Sequence, residues 1–73
     1  MKIEVRLFAT FRKGRGKKVY VEMDHPTVEK VLQSIDITND DVAILLVNGQ
    51  DGRFDQQLME GDYLSIFPPV GGG

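Results

Sequence analysis

The spacing of apolar residues changes twice along this chain, and that change limits the available folds more than any other feature. Ile3, Val5, Leu7 and Ala9 alternate with Glu4, Arg6 and Phe8. A period of two places one set of side chains on a buried sheet face and the other on an open one, so the segment reads as a half-buried strand. Val19, Val21 and Met23 repeat the pattern against Lys18, Tyr20 and Glu22. The glycine-rich stretch Lys13-Gly14-Arg15-Gly16-Lys17 between the two reads as a hairpin loop. Val28, Val31, Leu32 and Ile35 then fall on one helical stripe. Thr27 is placed to cap that helix, and Glu29 sits in its first turn, where a negative charge suits the macrodipole. The helix is expected to end near Ile35, with 36–41 forming a turn.

The period changes again at Val42, where an unbroken apolar run to Val47 reads as a buried strand. Asn48-Gly49 follows as a strong turn signal. Residues 52–57 are expected to be irregular or a short strand, and 58–62 a turn. A last strand is expected over 63–67, with Leu64 and Ile66 facing inward and Tyr63, Ser65 and Phe67 outward. Strand, strand, helix, strand and a final strand make an α+β fold of β-grasp type: a mixed sheet with one main helix packed on one face. The first and last strands should lie parallel at its centre. The helix stripe should seal against Ile3, Val5, Leu7, Val19, Val21, Leu64 and Ile66.

With 73 residues, the chain is one domain near the lower limit for folding on its own core. It is 41% hydrophobic and 27% charged, which argues against disorder. The absence of cysteine excludes disulfides, thiolate metal sites and a cysteine nucleophile. A net charge of -2 argues against nucleic acid as the main partner. No apolar run approaches membrane-span length, so neither a membrane nor secretion is expected, and the default setting is cytoplasmic.

The sequence closes on Phe67-Pro68-Pro69-Val70-Gly71-Gly72-Gly73. The two prolines hold the chain extended. Three glycines offer nothing to pack, so residues 1–70 are read as the β-grasp domain and 71–73 as a flexible tail. As a tool, the tail has one functional group, the carboxylate of Gly73, on a strand thin enough to enter another protein's active site. Phe8 and Phe67 should both point outward near the ends of neighbouring strands. They are either two scattered surface aromatics or a docking patch where the tail leaves the sheet.

The segment Leu58-Met59-Glu60-Gly61-Asp62, followed by the last strand and Phe67-Pro68-Pro69-Val70 before the glycines, resembles the C-terminus of the small subunit of molybdopterin synthase. That subunit is one of the MoaD-ThiS-like ubiquitin-like sulfur carriers. Val5-Arg6-Leu7-Phe8-Ala9, Pro26-Thr27-Val28 and Val47-Asn48-Gly49 resemble it too, so the likeness covers nearly the whole chain. The thiamine-pathway carrier shares the fold and the terminal glycines but usually lacks the double proline. Gly71, before the last two glycines, and the basic first loop depart slightly from the pattern.

The resemblance implies a protein co-substrate, not an enzyme, with no bound cofactor and no metal. Its terminal Gly73 would be adenylated by a ubiquitin-activating-like adenylyltransferase that uses ATP, then converted to a thiocarboxylate by a sulfur donor protein. Gly71 and Gly72 would thread the tail into the large catalytic subunit of molybdopterin synthase. Phe8, Phe67, Pro68, Pro69 and Val70 would meet the partner. Three other functions stay open: a sulfur carrier for thiamine or another pathway, a ubiquitin-like modifier conjugated through Gly73, and a plain binding module with an inert tail. His25 and Asp40-Asp41 are expected to be solvated. Arg12, Lys13, Arg15, Lys17 and Lys18 are read as a soluble loop tip, the alternative being contact with an acidic partner or RNA, and their charge could steer an acidic activating enzyme.

Overall fold

A computed structural model of the chain describes residues 1–70. The sequence reading of Gly71, Gly72 and Gly73 as a threading tail lies outside those residues. Among the described residues five strands form one sheet: β1 (Lys2–Leu7), β2 (Lys18–Glu22), β3 (Ile44–Val47), β4 (Gln50–Asp51) and β5 (Tyr63–Phe67), with a single α-helix, α1 (Val28–Gln33). Their spatial order is β2-β1-β5-β3-β4. β1 and β5 run parallel near the centre, with Leu7 beside Ile66. β1 with β2, and β5 with β3, pair antiparallel. This is the mixed β-grasp sheet with one helix that the period changes imply.

The helix forms where expected. Thr27 is extended, and its Oγ1 accepts from the Lys30 N–H at 3.3 Å, which satisfies one orphan donor of the first turn. Val28, Val31 and Leu32 are fully buried against the sheet. At about 1.5–3 kcal/mol per fully buried aliphatic side chain, packing rather than propensity holds so short a helix.

Its end differs from the expectation by two residues. Asp36 takes the left-handed conformation (φ 62°), the Asp36 N–H bonds to the Gln33 carbonyl at 3.1 Å, and the Ile37 N–H bonds to the Leu32 carbonyl at 3.0 Å. This is a Schellman close with aspartate where glycine is usual. It turns Ile37 back into the core beside Leu32, where it is 1% exposed.

Three other expectations are corrected. The first strand stops at Leu7, because Ala9 is left-handed (φ 52°) and opens a 3-10 helix over Ala9–Arg12 that buries Phe11. Ala9 is exposed instead of continuing the core stripe. Val19 is only half-buried. Ser65 lies on the face away from the helix yet is 7% exposed, because central-strand neighbours Arg6 and Leu46 flank it in register.

The Asn48-Gly49 turn forms with both residues at positive φ (53° and 81°), joining Val47 to Gln50 in the two-residue hairpin that this dipeptide favours. Leu58, expected in a turn, is 4% exposed in the core. Asp62 and Asn48 clip the approach to β5. The Asp62 carboxylate accepts from the Met59 N–H (2.8 Å) and from Asn48 Nδ2 (2.9 Å), while Asn48 Oδ1 accepts from the Tyr63 N–H (3.0 Å). These bonds fix where β5 starts, and so where its far end leaves the sheet.

Candidate functional site

The helix covers one face of the sheet, so the alternate residues of β1, β3 and β5 are left on the other. Where β1 and β5 end and β3 begins, that open side is apolar. Phe67 lies beside Ile44 in register, and Phe8 follows the Leu7–Ile66 pair on the strand next door. The Phe8 and Phe67 rings stack with centroids 4.2 Å apart and planes 13° from parallel. Of the two readings of these aromatics, scattered or clustered, the geometry gives the cluster. The Arg12 guanidinium sits over the Phe8 ring at 5.3 Å, and Arg12 Nε donates to the Leu7 carbonyl at 2.8 Å.

β5 runs from this stack directly into Pro68, Pro69 and Val70. Together with Ala9, Thr10, Ile44 and Phe67, these line a groove of about 470 Å³. Of the lining residues only Thr10 carries a polar side-chain group, and none carries an acid or a base. The groove can therefore hold apolar surface or an extended chain, but its own side chains supply no proton transfer. Ile44 is 50% exposed and Val70 is 96% exposed, so apolar area is presented to solvent at the point where the chain heads for its glycines.

The structure thus brings Phe8, Phe67, Pro68, Pro69 and Val70 to one end of the open face. Gly71, Gly72 and Gly73 follow them in sequence, outside the described residues. Sequence reasoning missed Ile44, Ala9 and Thr10. The signal for Ile44 was available: a strand beside β5 in a sheet covered on one face must expose every second residue, even when its apolar run is unbroken.

Further along the same face the character becomes ionic. Glu4 Oε2 accepts from Arg6 Nε at 2.6 Å, which lowers the Glu4 carboxyl below its usual range and raises Arg6. The Arg6 guanidinium also lies over the Tyr63 ring at 3.9 Å. This end of the face is polar and self-paired, in contrast to the apolar end at the groove.

The basic loop is more than a soluble tip. Arg15 Nη2 and Nε donate to the Ile35 carbonyl at 3.1 and 3.3 Å, and Nη1 donates to the Phe11 carbonyl at 3.3 Å. Arg15 therefore ties the loop to the closed end of α1, and Arg12 ties it to β1. Lys13, Lys17 and Lys18 remain exposed. His25 and Asp40-Asp41 are exposed, as expected.

Known proteins share this fold. The structure superimposes on SAMP1 of Haloferax volcanii with a TM-score of 0.83, at 26% identity and covering 100% of both chains. It also superimposes on a Pyrococcus furiosus protein named for subunit 1 of molybdopterin converting factor, with a TM-score of 0.77, at 26% identity and covering 96% of this chain and 99% of that one. In sequence it is 37% identical to small archaeal modifier protein 3 of Haloferax volcanii over 93 aligned positions, covering 100% of each chain. Residues 5–73 match the ThiS family. That match runs through the groove, the prolines and the terminal glycines alike, and it agrees with what the motifs implied: this chain belongs to the ThiS family of small ubiquitin-like sulfur carriers and modifiers.

Proposed function

We propose that the chain is a sulfur carrier whose reactive group is the carboxylate of Gly73, and that its sulfur goes to molybdopterin synthesis. One observation carries the reading. The central strand β5 delivers Phe67-Pro68-Pro69-Val70 along an apolar groove beside the Phe8–Phe67 stack, so a partner gripping that patch has the glycine terminus within its reach.

The chemistry follows from the group. A carboxylate resists nucleophiles because of its charge. Transfer of AMP from ATP, with loss of pyrophosphate, neutralises it and installs a leaving group. Attack by sulfide-level sulfur on the carbonyl carbon then expels AMP and leaves a thiocarboxylate. No acid or base on this chain is needed, which suits a groove that carries none. An adenylyltransferase of the ubiquitin-activating kind, a sulfur donor protein and a large catalytic subunit that accepts the tail are the partners this requires, and the setting is the cytoplasm. Gly71 and Gly72 contribute by lacking a Cβ that would widen the threading strand. The name of the Pyrococcus furiosus protein supports the molybdopterin destination.

A second reading is favoured by the names of the Haloferax volcanii proteins, which are modifiers. In it, a lysine amine of a target displaces AMP and forms an isopeptide bond to Gly73. Both readings share the adenylation step. A variant with Gly73→Trp, or one extended by a residue, should fold normally and fail in ATP–pyrophosphate exchange with the activating enzyme. Normal exchange by the extended variant counts against a role for the Gly73 carboxylate, and normal exchange by Gly73→Trp counts against a channel that needs glycine there.

A further inference from the structure

Strand β2 is an outer strand of the sheet, and among the described residues no strand pairs with its free side. Such an edge is a template for a further strand unless something blunts it. Its hydrogen bonds to β1 run through Lys17 and Met23: the Leu7 N–H bonds to the Lys17 carbonyl at 2.8 Å, and the Met23 N–H bonds to the Met1 carbonyl at 2.9 Å. Antiparallel ladders alternate, so Val19 and Val21 complete that inward set. The N–H and C=O groups of Lys18, Tyr20 and Glu22 are left pointing away from the sheet.

Those three residues form a charge pattern, Lys-x-Tyr-x-Glu, that is complementary to its own reverse. When a second β2 is laid antiparallel against the first, with Tyr20 opposite Tyr20, Lys18 comes opposite Glu22 at both ends. The residues with free backbone groups and the residues with matching charge are the same three, so one register satisfies both. In that register Val19 comes opposite Val21 on the helix side, where half-buried Val19 can extend the core cluster. The side chains are accessible: Lys18 is 50% and Glu22 75% exposed, and Tyr20 is 54% exposed with Lys2 Nζ over its ring at 4.7 Å. Lys18 is held only loosely by its own chain, 4.0 Å from Glu4, while Glu22 accepts from the Met1 ammonium at 3.0 Å.

We infer that the β2 edge is a self-association surface whose occupant is a second copy of this chain, joined antiparallel about a two-fold axis at Tyr20. A lysine on an edge strand normally protects it. Here the facing residue is the partner copy's glutamate, so the same lysine sets the register. The two helices lie on one side of the continuous sheet. The two β5 strands run in opposite directions, and β1 separates each from the interface, so the two Phe67 ends lie on opposite ends of the continuous sheet. An interface this narrow, without a large apolar core, gives a weak and reversible dimer.

Sedimentation equilibrium over a range reaching millimolar protein tests this. Wild type should pass from monomer to dimer. Lys18→Glu alone or Glu22→Lys alone sets like charges opposite each other and should lower the association constant roughly tenfold. The double variant Lys18→Glu/Glu22→Lys restores opposite charges and should recover it. Mixing the two single variants should give a heterodimer tighter than either homodimer. Tyr20→Pro removes an N–H that faces away from β1, so the far-UV spectrum and thermal transition should survive while association is lost. A wild type that stays monomeric at millimolar concentration overturns the inference. So does a double variant that associates no better than the single ones.

Discussion

The Phe8–Phe67 stack can be tested as a coupling energy, separately from the partner it is proposed to meet. The perturbation is a double-mutant cycle of Phe8→Ala, Phe67→Ala and both together. Each ring is half-buried, so each single truncation should cost about 1–2 kcal/mol, below the ~3–5 kcal/mol of a fully enclosed phenylalanine. Phe8→Ala also removes the ring under Arg12, for about 0.5–1 kcal/mol, but that loss recurs in the double variant and cancels from the cycle. Phe67→Ala keeps the backbone bond from the Ala43 N–H to the Phe67 carbonyl (2.8 Å), so β3 stays paired to β5. What remains is the ring–ring term, about 0.5–1.5 kcal/mol for two rings 4.2 Å apart and near parallel. Urea unfolding followed by far-UV circular dichroism reads it directly. At about 4–8 °C per kcal/mol for a domain of this size, it should also show in thermal melts. Additivity of the two truncations to within ~0.3–0.5 kcal/mol would mean that the rings do not stack in solution, and the patch would lose its organisation.

Two further predictions concern the scaffold. A Cβ at Gly52 would lie 2.5 Å from Val47 Cγ2 and 3.2 Å from Gln56 Oε1, and Val47 is a core residue pinned in β3. Gly52→Ala should therefore cost about 1–3 kcal/mol in denaturant unfolding, and less in a Val47→Ala background; an unchanged midpoint would contradict that contact. Asp41 Oδ2 accepts from the Thr38 N–H at 3.0 Å, which holds its carboxyl below the ordinary value of 3.8. Its folded-state pKa is depressed, so the stabilisation is present above the ordinary value and lost as pH falls through the lower one. The stability gap between wild type and Asp41→Asn should be constant near neutrality and close on acidification, and curves parallel down to the acid transition would refute the assignment.

Most of the architecture was written in the spacing of apolar residues, because burial on one face of a sheet imposes its own period. β5 formed over the expected residues 63–67, and the Thr27 cap and the Asn48-Gly49 turn are local chemistry that needs no tertiary context. The misses share a cause. Phe11, Ile37 and Leu58 are core residues outside any periodic segment: a 3-10 helix carries Phe11 inward, the Asp36 turn carries Ile37, and Leu58 is held by its N–H bond to the Pro26 carbonyl at 2.9 Å beside the Thr27–Gln57 bridge. The left-handed Ala9 and Asp36 occupy conformations that glycine usually marks, so neither turn had its usual signal.

The site was partly legible for a similar reason. Phe8 and Phe67 could be placed side by side once β1 and β5 were taken as parallel neighbours. The unbroken apolar run masked Ile44, which only the one-sided cover of the sheet and its pairing with Phe67 on β5 mark as outward-facing, and the groove also needed the left-handed turn at Ala9. Arg15 was hidden as well. Its value lies in reaching a carbonyl twenty positions away, and a loop rich in lysine and arginine gives no sign of that.

Intact-protein mass spectrometry after incubation with ATP, the activating enzyme and a sulfur source bears most directly on the role assigned to Gly73. The account predicts a gain equal to the replacement of one oxygen atom by sulfur, confined by fragmentation to residue 73 and absent when ATP is withheld. An unchanged mass, with the activating enzyme shown to be active on another carrier, would contradict it.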